Sequence, residues 1–116
     1  MSIHVGTDQI GTTLVVRLAG ELDHHTAEVV RDRVESELEK GEYKNLIISM
    51  EQLSFMDSSG LGVILGRYKR ISQLGGKMSL CSVNDSIRKI FELSGIPQIL
   101  PIHDTETRAL TEMGEA

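Results

Sequence analysis

The 116-residue chain predicts an α/β domain: a mixed sheet of four to five strands, opened by an antiparallel hairpin, with four helices packed on it. Three observations carry that expectation. Two strand-like runs stand at the front with only a short Gly-containing turn between them. Helix-period and strand-period segments then alternate to the end of the chain. The run Leu46-Ile47-Ile48-Ser49-Met50 is almost continuously apolar, as expected of a central strand covered on both faces.

Taken in order, Ile3, Val5 and Thr7 alternate with polar neighbours and mark the first strand. A turn at Gln9-Ile10-Gly11 leads into the second, with Leu14, Val16 and Leu18 on one face and Thr13, Val15 and Arg17 on the other. Gly20 is expected to end it. Glu21 to Thr26 reads as a polar loop, with Asp23 or Thr26 capping the next helix. Ala27, Val30, Val34 and Leu38 recur at helical spacing, and Gly41 stops the pattern. After the central strand, Leu53 to Asp57 reads as a second loop. Leu61, Ile64, Leu65 and Tyr68 then fall at i, i+3, i+4 and i+7 of a helix stopped by Gly75-Gly76. Met78 and Leu80 begin a fourth strand ending near Val83. Asn84 caps a third helix carrying Ile87, Ile90 and Phe91, and Gly95 ends it. Ile99 to Ile102 reads as a last edge strand, where Pro101 is tolerated. Asp104 or Thr105 starts a terminal helix with Ala109, Leu110 and Met113 inward.

Composition removes several function classes. Twelve Lys+Arg against 17 Asp+Glu give a net charge of −5, the wrong sign for nucleic acid or anionic lipid. No stretch approaches the ~20 apolar residues that span a bilayer. The first residues have neither a basic nor an apolar signal region. The single cysteine, Cys81, excludes an intrachain disulfide and a thiolate metal cluster. A cytoplasmic, single-domain protein over 1–116 is expected, without membrane or nucleic-acid partner. With aromatics at 3% and no Trp, its core must be aliphatic.

Several enzyme patterns nearly occur. Gly60-Leu61-Gly62-Val63-Ile64-Leu65-Gly66 follows a strand, but Leu65 stands where a dinucleotide fingerprint needs its third glycine. Gly62 and Gly66 are read instead as packing positions that admit a neighbour closely, each costing ~1 kcal/mol of helix propensity. His24 and His25 are adjacent and diverge, so no metal site is expected. Cys81 reads as a buried thiol. Asn84-Asp85-Ser86 matches a glycosylation sequon without consequence in this setting. Charge is uneven: Glu21–Glu42 carries a net −5 and Arg67–Lys89 a net +5. Two solvated helix faces explain that, as does a polar molecule that docks in one orientation.

The informative segment is Ser54-Phe55-Met56-Asp57-Ser58-Ser59-Gly60. Asp57, Ser58 and Ser59 are all capping types at a helix start. Phe55 and Met56 form an apolar pair before the cap, suited to a partner surface if exposed. Free N–H groups and the helix dipole favour an anion there, so a phosphate on Ser58 or Ser59 leaves the fold intact. It adds about −1.5 to −2 charges beside Asp57. At a docking surface, that charge changes binding without unfolding the domain.

Here a family resemblance enters. Asp57-Ser58-Ser59-Gly60-Leu61-Gly62 after a strand and loop resembles the phosphorylation motif of STAS domains. Gly20-Glu21-Leu22-Asp23 with Thr26-Ala27 is similar to their first loop. The longer stretches 20–28 and 53–69 resemble the STAS-domain anti-sigma factor antagonists, and within them the branch acting on sigma F in spore-forming bacilli. That resemblance implies a single STAS-type domain that is an anti-anti-sigma factor. It implies partner switching: the unphosphorylated protein binds an anti-sigma factor serine kinase and frees the sigma factor. The kinase, which supplies ATP and Mg²⁺, then switches it off by phosphorylation, and a serine phosphatase restores it. Ser58 is the implied phosphorylated residue. Glu21, Asp23, Met56, Asp57, Ser59 and Gly60 are implied at the partner surface with it. No cofactor of its own and no catalysis are implied.

The alternatives are an antagonist of another sigma factor, such as a general-stress one, and a small nucleotide-binding domain at the ends of the parallel strands. An enzyme with Ser58 as nucleophile needs a base, for which only His24 and His25 are candidates, and no G-x-S-x-G elbow supports it.

Overall fold

A computed structural model describes residues 2–115. The elements are β1 (Ile3–Ile10), β2 (Thr13–Leu22), α1 (Ala27–Lys40), β3 (Asn45–Met56), α2 (Ser58–Gln73), β4 (Met78–Cys81), α3 (Asp85–Ser94), a 3₁₀ turn (Ile96–Gln98), β5 (Ile102–His103) and α4 (Glu106–Glu112). The five strands lie in the order β1-β2-β3-β4-β5. β1 and β2 pair antiparallel, and all later neighbours pair parallel. This is the mixed sheet with an opening hairpin that the pattern predicts.

Strand order explains where the helices lie. Each parallel crossover steps one strand in the same direction. With the usual right-handed connection, that puts all three crossover helices on one face. The main core is accordingly built from Leu14, Val16, Leu18, Leu46, Ile48 and Leu80 of the sheet against Val30, Val34, Ile64, Ile87 and Phe91 of α1 to α3. It is aliphatic apart from Phe91. The opposite face is left to α4, whose Ala109, Leu110 and Met113 cover Val15, Ile47 and Cys81. Arg17 of β2 holds α4 in place with two hydrogen bonds of 2.8 Å to the Glu106 carboxylate. The Arg17 hydrogen bond keeps the Glu106 carboxyl below its ordinary range.

Several expectations are corrected. Gly20 does not end β2, which runs on to Leu22 through two register shifts. Gly20 adopts φ +109° at this bulged stretch, and a Cβ there would collide with the Ser2 carbonyl. The glycine marks a bulge and a close approach, not a stop. Residues 53–56 are not loop, because β3 extends to Met56 alongside the lengthened β2. β4 ends at Cys81, and the edge strand is only Ile102–His103, with Pro101 just before it accepting from Leu80 N–H. The buried stripe of α2 is rotated from the predicted one: Gly60, Val63, Ile64, Arg67 and Ile71 are buried, while Leu65 is exposed. Gly62 and Gly66 admit no close neighbour, since a Cβ on either meets nothing within 4 Å. The helix caps follow expectation. Asn84 accepts from Ile87 N–H, and of the two candidates for α4 it is Thr105 that accepts from Arg108 N–H.

Candidate functional site

The parallel pairing of β2 and β3 determines what stands together at the C-terminal edge of the sheet. Glu21 pairs with Phe55 and Leu22 with Met56. Asp57 N–H then donates to the Leu22 carbonyl at 3.2 Å. Both chains leave the sheet at this level, β2 into the Asp23–Thr26 turn and β3 into α2. Ser58 and the Glu21–Thr26 segment therefore lie side by side.

Asp57 has extended backbone and accepts from Ser59 N–H at 2.8 Å, the hydrogen bond of an N-cap. Ser58 is the first residue of α2 and is exposed. Its hydroxyl makes no hydrogen bond among the described residues. Gly60 N–H closes the first turn on the Asp57 carbonyl at 3.0 Å. Gly60 is buried because Met56 and Leu22 occupy the space of its missing Cβ. The apolar pair expected to be exposed therefore divides: Phe55 is 43% exposed and Met56 only 3%. Strand alternation puts Phe55 outward and folds Met56 under the helix start. Met56 and Gly60 shape the corner from beneath and offer a partner no surface.

Asp23 is also buried, a second departure from the expected interface. Its Oδ1 accepts from His25 N–H at 2.9 Å and Thr26 N–H at 3.0 Å. In return Thr26 Oγ1 accepts from Asp23 N–H and donates to the Glu21 carbonyl at 2.7 Å. This is a reciprocal capping arrangement with Thr in the place of the usual Glu. Ala27 N–H bonds the Asp23 carbonyl, so the helical turn starts at Asp23. Burial pushes the Asp23 carboxyl up, but the donors of Thr26 and His25 outweigh it and hold it below its ordinary value. A lowered carboxylate pKa stabilises the fold above the unfolded-chain value, and the benefit is lost as pH falls through the folded value. Asp23→Ala is expected to lower the urea midpoint at pH 7 more than Asp23→Asn, which keeps an acceptor. The gap between wild type and Asp23→Asn should narrow towards pH 3. Equal midpoints for all three proteins at pH 7 would refute the cap.

The acidic and basic stretches are not two separate faces. α1 packs on α2, and Glu35 is shared between Arg67 Nη2 at 3.1 Å and Arg70 Nε at 3.3 Å. Arg67 was invisible to hydrophobic periodicity because it is a charge at a core position of α2. His24 and His25 are exposed in the turn with ring centroids 5.5 Å apart. Among the described residues no group of three or more His, Cys, Asp or Glu is placed to hold a metal. Burial raises the Cys81 thiol pKa, as befits a core sulfur. No helix among the described residues is long and apolar enough to cross a membrane.

This geometry can present one free serine hydroxyl at a helix N-terminus, flanked by an exposed Phe and a rigid acidic turn. Residues 4–109 match the STAS domain family. The chain is 44% identical to the anti-sigma F factor antagonist of Paenibacillus polymyxa, covering 97% of both chains. It is 32% identical to the anti-sigma-B factor antagonist of Bacillus subtilis over 88% of this chain and 92% of that one. It superposes on the anti-sigma factor antagonist SpoIIAA in its unphosphorylated form with a TM-score of 0.82, at 34% identity, covering 94% of this chain and 95% of that one. On the phosphorylated form of SpoIIAA from Bacillus the TM-score is 0.74, at the same identity, covering 94% and 98%. A five-stranded sheet opened by a hairpin, a capped α2 and near full-length likeness to these proteins lead to one conclusion: the chain belongs to the STAS-domain anti-sigma factor antagonists.

Proposed function

We propose that the chain is a cytoplasmic anti-anti-sigma factor of the sigma F type, switched off by phosphorylation on Ser58. The observation that carries this reading is the exposed, unbonded Ser58 hydroxyl at the first position of α2, beside the Asp23–Thr26 turn. In the unphosphorylated state Glu21, Phe55, Ser58 and Ser59 meet an anti-sigma factor serine kinase, and the sigma factor is freed. The kinase transfers the γ-phosphoryl group of its Mg²⁺-bound ATP to Ser58 Oγ, which loses its proton as ADP leaves. The phosphate is favoured by the α2 N–H groups and dipole, so the domain stays folded. Against a docked partner the same charge, next to Asp57, is repelled or left unpaired, and the complex separates. Hydrolysis by a serine phosphatase returns the hydroxyl. The higher identity to the anti-sigma F antagonist than to the anti-sigma-B antagonist favours the sporulation branch. That SpoIIAA has a phosphorylated form supports the modification.

The test is to incubate the protein with the anti-sigma F kinase and ATP and map the phosphate by mass spectrometry. One phosphate on Ser58, removed by Ser58→Ala, is the expected result. A phosphate confined to Ser59, or none, overturns the assignment.

A further inference from the structure

β1 is an outer strand of the sheet: it pairs with β2 on one side, and no described strand pairs with it on the other. The antiparallel ladder fixes which backbone groups the open edge presents. The Ser2 carbonyl accepts from Glu21 N–H at 2.9 Å, so the even-numbered residues turn their backbone groups towards β2. Ile3, Val5, Thr7 and Gln9 turn theirs outward. Such an edge is a template for another strand, and proteins usually blunt it with lysine, proline or a bulge. β1 contains neither residue, and its register runs from Ile3↔Gly20 to Ile10↔Thr13 without a shift.

Gly6 stands near the middle of this edge. A Cβ there would meet only the Arg17 carbonyl, at an ordinary 3.8 Å. Its φ is not positive either. Nothing inside the domain therefore calls for glycine, which weakens a strand and often marks the close approach of another backbone. His4 and Asp8 lie two residues to either side, on the same face as Gly6, and both are exposed. Asp8 is engaged within the chain only by Arg17, at 3.7 Å and with both side chains about half exposed.

A two-fold axis through Gly6 lays the strand antiparallel on its own copy. His4 then falls opposite Asp8 of the second copy, and the pair occurs twice. These are non-hydrogen-bonded positions, where facing side chains come closest, so an imidazole N–H can donate to each carboxylate. In the same register Ile3 faces Gln9 and Val5 faces Thr7, so the outward backbone groups of residues 3–9 all find partners. Sliding by one two-residue step instead puts His4 opposite Gly6 or Ile10. Val29 is 52% exposed and lies across α1 from Arg31, which lines the groove towards α2; it adds apolar surface on the β1 side.

We propose that a second copy of this chain docks on the β1 edge and joins the two five-stranded sheets into one, with Gly6 on the axis and His4 paired with Asp8 across it. One strand edge per copy is a small contact, so the dimer is weak and forms with rising concentration. It sets two Ser58 corners on one particle.

The test is sedimentation equilibrium of the whole chain from micromolar to millimolar concentration. The average mass should rise from that of one chain towards that of two. Thr7→Pro removes an outward N–H and leaves every group that faces β2. Its association constant should fall at least about tenfold, because the axis counts each lost hydrogen bond twice. His4→Asp sets carboxylates opposite each other and should weaken association similarly. Adding Asp8→His to it exchanges the pair and should restore most of the loss, a rescue that belongs to this register alone. Circular dichroism checks that each variant is folded, and if Thr7→Pro is not, the His4 and Asp8 variants decide. A mass of one chain at every concentration, association unchanged by Thr7→Pro, or no rescue by the exchange overturns the proposal.

Discussion

Ser58→Asp is expected to weaken binding to the anti-sigma factor kinase by at least about a hundredfold, with little change in the fold. Every ~1.4 kcal/mol is tenfold in affinity, and like-charge contact at an interface costs several kcal/mol. The fold should survive because Ser58 occupies the first position of α2, is exposed, and makes no hydrogen bond that Asp would break. An acid is welcome in the first turn of a helix whose own first turn has none. Calorimetric titration against the kinase reads the affinity, and far-ultraviolet circular dichroism reads the fold. Ser58→Ala should bind at close to wild-type strength and remain bound in the presence of ATP, because nothing can be phosphorylated. If Ser58→Asp bound as tightly as wild type, charge at this corner would not be the switch. If it unfolded the domain, the serine would be a structural residue.

Phe91→Ala should cost about 3–5 kcal/mol, the range for emptying an aromatic site in a packed core. Phe91 on α3 is the one fully buried aromatic side chain among the described residues, with Tyr43 and Tyr68 packed against the same cluster from its rim. A domain of this size has about 5–15 kcal/mol of stability to lose. The melting temperature should fall by roughly 10–20 °C. Urea unfolding followed by circular dichroism measures the loss. A cost below about 1 kcal/mol would mean that neighbouring aliphatic side chains collapse into the space, and that the core is softer than its packing implies.

The capped start of α2 was legible because Asp57, Ser58 and Ser59 are local chemistry: a side-chain acceptor two residues before an N–H donor needs no distant partner. Asn84 and Thr105 are equally local, each accepting from an N–H three residues ahead. The alternation of Leu14, Val16 and Leu18, and the helical spacing of Val30, Val34 and Leu38, were legible because one face of each element meets the core. The Asp23–Thr26 reciprocal cap left a trace too, in an Asp followed three residues later by a Thr. It was read as a choice between two caps, whereas both residues act together.

What was not legible depended on distant chain. Gly20 carries the composition of a stop signal, and only the Ser2 carbonyl lying against it shows that the strand continues through it. Glu51, Gln52 and Ser54 are poor strand residues, yet β3 runs through them because β2 is there to pair with. Met56 passed for a surface residue until that pairing put it under Gly60. Arg67 is a charge at a core position, which no hydrophobic pattern reveals before Glu35 is brought opposite by the packing of α1 on α2.

The sequence by itself determined the class of fold, the order of its elements, the caps, and the serine that stands at the start of α2. These follow from local propensity and period, which act within a few residues. Only the tertiary structure decided where the strands end, which of the corner residues face solvent, and that the −5 and +5 stretches of the chain meet along one helix pair. Those outcomes rest on burial and ion pairing between segments far apart in the chain, and such contacts exist only once it has folded.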